Sequence, residues 1–366
     1  MRMTLLTATL ALTSLTLLQA QGGTPSAPPK PAQPAEACTP AAGLNFICGV
    51  QAPEDLALIP NTRWLITSGM APGSGLHLVD TQRKTAQDLF SVKGAVTTGK
   101  VQADRTAFSS CPGPVDAAKA QFHGLSLRPR GAGYRLYVTH HGGRESVEVF
   151  DIDVTGVPAA TWVGCVPMPA GLEANSVGAF TDGTILATVL TLPGKTFEQQ
   201  LAGENTGVVL MWTPGAPAFR QLPGTELPGN NGIETSADDR EFYVVSSGAK
   251  RIVAFARANP GTPLRTAQLA AFAPDNVHRL PDGRLIAAGM IDDEPSCGGK
   301  PKNFAMVQCA RGWLAATVDP ATMKVTQLAG GPRFEAFSGT ATAIPVAGEL
   351  WLGAFRADRL AWRALR

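Results

Sequence analysis

The sequence predicts an all-β fold, a six-bladed β-propeller, and three observations carry that expectation. One is a hairpin pattern that recurs six times along the chain, at intervals of 44 to 69 residues. Another is composition: 39 Gly and 29 Pro in 366 residues suit short strands joined by frequent turns. The third is the lack of long helical periodicity, with only residues 196–202 reading as one or two helical turns.

Each copy of the pattern is an alternating apolar strand, a turn carrying Pro, Asp or Gly, and a second apolar strand ending in small residues. The copies begin at Leu56, Leu125, Val177, Ile233, Val277 and Ala341. Each hairpin leads into a further short strand, over residues 75–80, 146–152, 208–213, 251–256, 313–319 and 359–365. Several strands per repeat, at a period of roughly 40 to 60 residues, are the signature of a propeller. An accidental β-sandwich would not place the turn at the same point of all six copies.

The flanking segment reads differently. Residues 1–20 have the form of a signal peptide: Arg2 gives a positive start, residues 4–18 are apolar and hydroxyl side chains, and Ala20 precedes the cleavage point. That run is shorter than the roughly twenty residues a membrane span needs, so no stable membrane anchor is expected. Residues 21–40, rich in Pro, Ala and Gly, read as a linker, and residues 41–366 as the propeller domain. The chain is therefore expected to be exported, into a periplasmic or extracellular space. Its 31 basic and 29 acidic residues form no basic stripe with interleaved aromatics, which argues against nucleic acid as a partner. Six cysteines in an exported chain favour disulfides. Short spacing suggests Cys38–Cys48 and Cys297–Cys309, leaving Cys111–Cys165 by elimination. None has zinc-ligand spacing.

The repeat also selects a set of side chains. In a propeller the innermost strand of each blade lines the central channel. The residue two before the first apolar position of each copy is then presented to the axis: Glu54, His123, Asn175, Asn231, Asp275 and Gly339. Strand formation needs no polar residue there. With Asn276 the ring offers two carboxylates and three amide oxygens, which are costly to bury without a cation. Such hard oxygen donors point to Ca²⁺ rather than Zn²⁺ or Mg²⁺. His123 shares the offset and is expected to face the same cavity. His140, at the end of the second strand of that blade, is expected to partner it and tune its basicity. Strand alternation places the neighbouring His141 on the other face. His77 and His278 lie inside strands and read as structural.

These residues resemble those of the paraoxonase and arylesterase family and, more distantly, the gluconolactonase and senescence-marker propellers. The motifs are Pro-Glu54-Asp55-Leu, Phe-His123-Gly-Leu-Ser, Tyr-Val-Thr-His140, Ala-Asn175-Ser, Asn-Asn231-Gly-Ile and Pro-Asp275-Asn276-Val, within a stretch from Pro53 to Leu365. The resemblance implies a catalytic calcium held by Glu54, Asn175, Asn231, Asp275 and Asn276, with His123 as base and His140 as its helper. It implies a second, structural calcium near Asp55, although Ser176 stands where the family has Asp. It also implies a long-range disulfide to a Cys near the carboxyl terminus; this chain has Trp362 there, so Cys38 or Cys48 must pair otherwise.

The combined expectation is a calcium-dependent hydrolase of small-molecule lactones or aryl or alkyl esters. Water, activated by the histidine pair, would attack a metal-polarised carbonyl. A sugar lactonase or phosphotriesterase on the same propeller, and a calcium-stabilised binding propeller without turnover, are the alternatives. Residues 91–121, 192–206 and 297–309 are expected to shape specificity.

Overall fold

A computed structural model describes residues 38–93, 96–116 and 118–365. The expected signal peptide, and the linker as far as residue 37, lie outside the described residues. The strands group into six sheets, one per repeat, antiparallel except where Lys100–Val101 runs parallel to Thr161–Trp162, confirming the six-bladed propeller. The innermost strands are Leu56–Leu58, Gln121–Arg130, Val177–Ala179, Asn230–Thr235, Phe272–Arg279 and Thr340–Val346, for blades 1 to 6 in order.

Second and third strands follow where the hairpins predict them. They read as continuous apolar runs, such as Ile185–Val189 with every residue buried, because a neighbouring blade covers each face. The core accordingly lies between blades. Phe180, Leu186 and Val209 of blade 3 pack on Ile233, Phe242 and Val244 of blade 4. Trp351 and Leu360 of blade 6 pack on Leu56, Leu65 and Val79 of blade 1.

The repeat did not reveal the outermost strands. In blade 6 that strand comes from the start of the domain: Asn45–Cys48 runs antiparallel to Arg359–Ala364, with Asn45 opposite Trp362. Pairing the two ends of the domain closes the ring and covers the outer edge of Arg359–Ala364. The bridge Cys38–Cys48 fastens this strand to its approach, and Cys111–Cys165 and Cys297–Cys309 complete the pairing expected from spacing. Two short helices lie among the loops. The helix α1, Phe197–Leu201, is started by a capping box between Thr196 and Gln199. The helix α2, Phe304–Val307, is capped by the Asn303 side chain inside the loop of the third disulfide.

At the channel, four innermost strands share one irregularity. Register shifts fall at Phe122/Leu125, Asn230/Ile233, Pro274/Val277 and Thr340/Thr342. A bulge leaves its extra residues unpaired and re-aims their side chains. Here the unpaired residues include His123, Asn231, Asp275 and Asn276. Gly124 and Gly232 let the strands crowd at this level: a Cβ on Gly232 would lie 2.6 Å from the Asp275 carbonyl oxygen, and one on Gly124 2.6 Å from the Ser176 Cα.

Candidate active site at the channel hub

Where the innermost strands begin, a cavity of about 310 Å³ opens on the axis. Glu54, His123, Asn175, Asn231 and Asp275 all line it, so the repeat offset brings together side chains separated by up to 221 positions. Asn276 stands behind them: its Nδ2 donates to Glu54 Oε1 at 2.6 Å. Glu54 Oε2, Asn175 Oδ1 and Asn231 Oδ1 are buried and have no hydrogen-bond partner. A buried acceptor left unsatisfied costs about 1–3 kcal/mol, so three around one cavity are unusual unless something else satisfies them.

The electrostatics repeat the point. Burial, then the charge of Asp55, pushes the Glu54 carboxyl well above its ordinary value. Burial, then the charge of Glu54, does the same to Asp275, although Asn231 donates a hydrogen bond to it. Among the described residues no three His, Cys, Asp or Glu side chains gather as a metal-binding cluster. The hub instead presents carboxylate and amide oxygens, the donor chemistry of a hard divalent cation.

His123 Nε2 lies 3.6 Å from Glu54 Oε1, and burial lowers the affinity of this ring for a proton despite the pull of Asp275. Its partner is not the expected one. His123 Nδ1 stands 3.1 Å from His141 Nε2, and His141 Nδ1 stands 2.8 Å from Glu145 Oε2. Phe122 pairs directly with His140, and Gln121 with His141. Directly opposed residues share a face, so His140 turns with Phe122 into the core while His141 turns toward His123. His140 is fully buried, with its ring centroid 5.4 Å from that of Phe122 and its Nδ1 3.5 Å from Ser146 Oγ. Burial, with the charge of Arg144, lowers its pKa to about 3. His140 is thus walled in, and the expected faces of His140 and His141 are reversed. Counting alternation from the Phe122–His140 register would have identified His141.

Asp55 is also differently employed. Its Oδ1 accepts from Leu56 N at 2.8 Å and lies 2.6 Å from His278 Nε2; its Oδ2 accepts from Leu125 N at 2.8 Å. Protein donors already surround this carboxylate, so the residues present do not fit a second calcium. His77, read as structural, pairs with Asp88 at 3.2 Å.

Above the hub the cavity wall is mostly apolar, with Met70, Leu190, Met290, Ile291 and Phe355 contributing. Two of the three expected specificity loops reach it. Phe197 of α1 and Phe304 of α2 meet edge-to-face across its rim, 5.5 Å between ring centroids. Lys250 and Asp292 form an ion pair beside them. Residues 91–121 contribute none of the described residues that line the cavity.

Among the described residues no helix is long and apolar enough to cross a membrane. Three disulfides are compatible with an oxidising compartment. No family model matches the sequence, and no curated protein matches it. Solved structures do resemble it in fold. A gluconolactonase from Xanthomonas campestris is 17% identical over 94% of this chain and 99% of its own, with a TM-score of 0.52. A luciferin-regenerating enzyme is 12% identical over 88% of this chain and 96% of its own, at 0.51. A protein of unknown function from Bacteroides thetaiotaomicron is 11% identical over 88% of this chain and 72% of its own, at 0.53. At such identities the likeness establishes the fold alone.

Proposed function

We propose that this chain is a calcium-dependent hydrolase of lactones or of aryl or alkyl esters, acting in the hub cavity. The observation that supports this most is the set of unsatisfied buried oxygens beside a histidine backed by a second histidine and a carboxylate. Glu54, Asn175, Asn231 and Asp275 would hold the ion directly, and Asn276 would steady Glu54 through its amide and complete the oxygen set. When bound, calcium supplies a Lewis acid for a carbonyl oxygen and positive charge for an oxyanion.

The protein's own groups account for the proton. Glu145 accepts from His141 Nδ1–H, which leaves His141 Nε2 free to accept from His123 Nδ1–H. His123 Nε2 is then an unprotonated base facing the cavity, and burial keeps it so at neutral pH. It takes a proton from water as the water oxygen bonds to the carbonyl carbon. When the carbon–oxygen bond to the leaving group breaks, His123 returns that proton to the departing alkoxide. His141 and Glu145 hold the ring in this tautomer, and the Glu145 carboxylate stabilises the positive charge the pair gains, as the carboxylate of a serine-hydrolase triad does. The apolar wall favours an acyl or aryl substituent over a polyhydroxylated sugar, which sets this reading apart from a sugar lactonase.

Hydrolysis of phenyl acetate and of a γ-lactone, measured with calcium and with EDTA, tests the proposal. Turnover that EDTA removes and calcium restores is expected. No hydrolysis of any ester, lactone or phosphotriester with calcium present would favour a binding propeller.

A further inference from the structure

The channel has a second mouth, where the innermost strands end. A cavity of about 340 Å³ opens there, within the size range of small-molecule sites. Its wall is apolar, with Leu58, Leu127, Leu280, Ile344 and Pro345 from four different blades. Charged side chains stand among them. Arg128 is only 5% exposed; its Nη2 donates to Glu234 Oε1 at 2.6 Å and to Thr235 Oγ1, and its Nε is buried without a partner. Arg279 Nε donates to the Thr235 carbonyl at 3.3 Å, and its backbone N donates to Glu234 Oε2 at 3.1 Å. Among the described residues Arg279 makes no ion pair with a carboxylate.

The two guanidinium groups are unequally matched. His278, which also lines this mouth, is matched by Asp55. Glu234 is then the one carboxylate left for two guanidinium groups. Burial opposes its ionisation, yet the charges of Arg128, His278 and Arg279 hold its carboxyl below the ordinary value. The Arg279 side chain is thus left without a carboxylate partner, in a cup whose wall includes leucine, isoleucine and proline. A half-buried cation of this kind calls for an anion or water. A dianion such as phosphate would find a wall that is mostly apolar.

We propose that the distal mouth binds a small monocarboxylate with an apolar body: Arg279, helped by the charge of Arg128, takes the carboxylate, and the aliphatic wall takes the rest. Guanidinium donors match carboxylate geometry in a way that a point charge does not. The chemical class is also that of an ester-hydrolysis product, but the site does not depend on the hub being catalytic.

4-Fluorobenzoate, followed by ¹⁹F NMR, and 4-bromobenzoate, located by its anomalous signal in crystals, test this on the protein in EDTA. Saturable binding is expected, with bromine density inside the distal mouth and its carboxylate against Arg279. Arg279→Gln should weaken binding at least tenfold, and Arg279→Lys should restore part of it. Bromine found only at the hub or nowhere would overturn the proposal. So would a folded Arg279→Gln protein that binds as tightly as the parent. The bromine position decides the matter even if neither variant folds.

Discussion

The two ends of the channel are built from the same six strands, only a few residues apart, yet their polar groups are treated in opposite ways. Where the strands begin, Glu54 and Asp275 are pushed toward their neutral forms, and three oxygens find no donor. Where they end, Glu234 is held ionised by cations, and both its oxygens accept hydrogen bonds. Folding accounts for Glu234 at the second end, since a carboxylate with both oxygens satisfied can be tolerated in the interior. It does not explain the first, where electron-rich groups converge at a cost to stability. Costs of that kind collect at sites selected for chemistry. The contrast separates a site by its energetics, without appeal to relatives.

The sharpest test uses the sign of a stability change. Asp275→Asn keeps the shape of the hub but removes one of two repelling buried carboxyls. Calcium binding, read by calorimetry, should fall below detection, and ester turnover should drop by at least about a thousandfold. The metal-free protein should nonetheless gain about 1 kcal/mol, seen as a higher Tm in EDTA. A lower Tm would mean that the hub is an ordinary structural network. Next in size is His123→Gln, which should lower kcat by about 10²–10⁴-fold while calcium affinity holds. Glu145→Gln should cost only about tenfold in kcat, because its side chain is 31% exposed and water can replace part of it.

At the far end the sign should reverse. Glu234→Gln leaves Arg128 and Arg279 without a counter-charge in a buried setting. Breaking such a pair from one side typically costs about 3–5 kcal/mol, and partial access to the mouth places this case near about 3. Denaturant titration of the variant in EDTA reads this directly. If Glu234→Gln and Asp275→Asn shifted stability in the same direction, the two ends would not differ as argued.

The sequence carried much of the hub and little of the far end, for a physical reason. Polar residues at one offset of a repeat stand out because a strand does not need them there, and five such positions converge without any knowledge of packing. Arg128, Glu234 and Arg279 also sit in innermost strands, but at unequal offsets, so nothing in the linear pattern groups them. The outer strands were hidden for a related reason. Asn259–Gln268 is largely exposed at the rim and has no apolar alternation to read, and Asn45–Cys48 is only four residues whose partner lies at the other end of the chain. The His140 error came from choosing the wrong residue of an adjacent pair, and a shift of one exchanges the faces of a strand.

That pair offers the smallest prediction. His140 and His141 are chemically identical, and their surroundings differ as the channel ends do: one is enclosed by Phe122, Ser146 and Glu148, the other joins a relay that reaches the cavity. Because burial lowers the His140 pKa to about 3, this ring stays neutral in the folded protein while the unfolded chain takes up a proton near pH 6.5. Between those values the unfolded state binds more protons, so stability rises with pH across the window. The contribution is complete above about pH 6.5 and is lost progressively as pH falls toward 3. His140 alone should therefore remove about 1 kcal/mol between pH 6 and pH 5. His140→Phe, which keeps an aromatic ring beside Phe122, should flatten that part of the pH–stability curve measured by urea unfolding. If the variant retained the full slope, the acid sensitivity would belong to other groups, and His140 would have no claim to being the enclosed member of the pair.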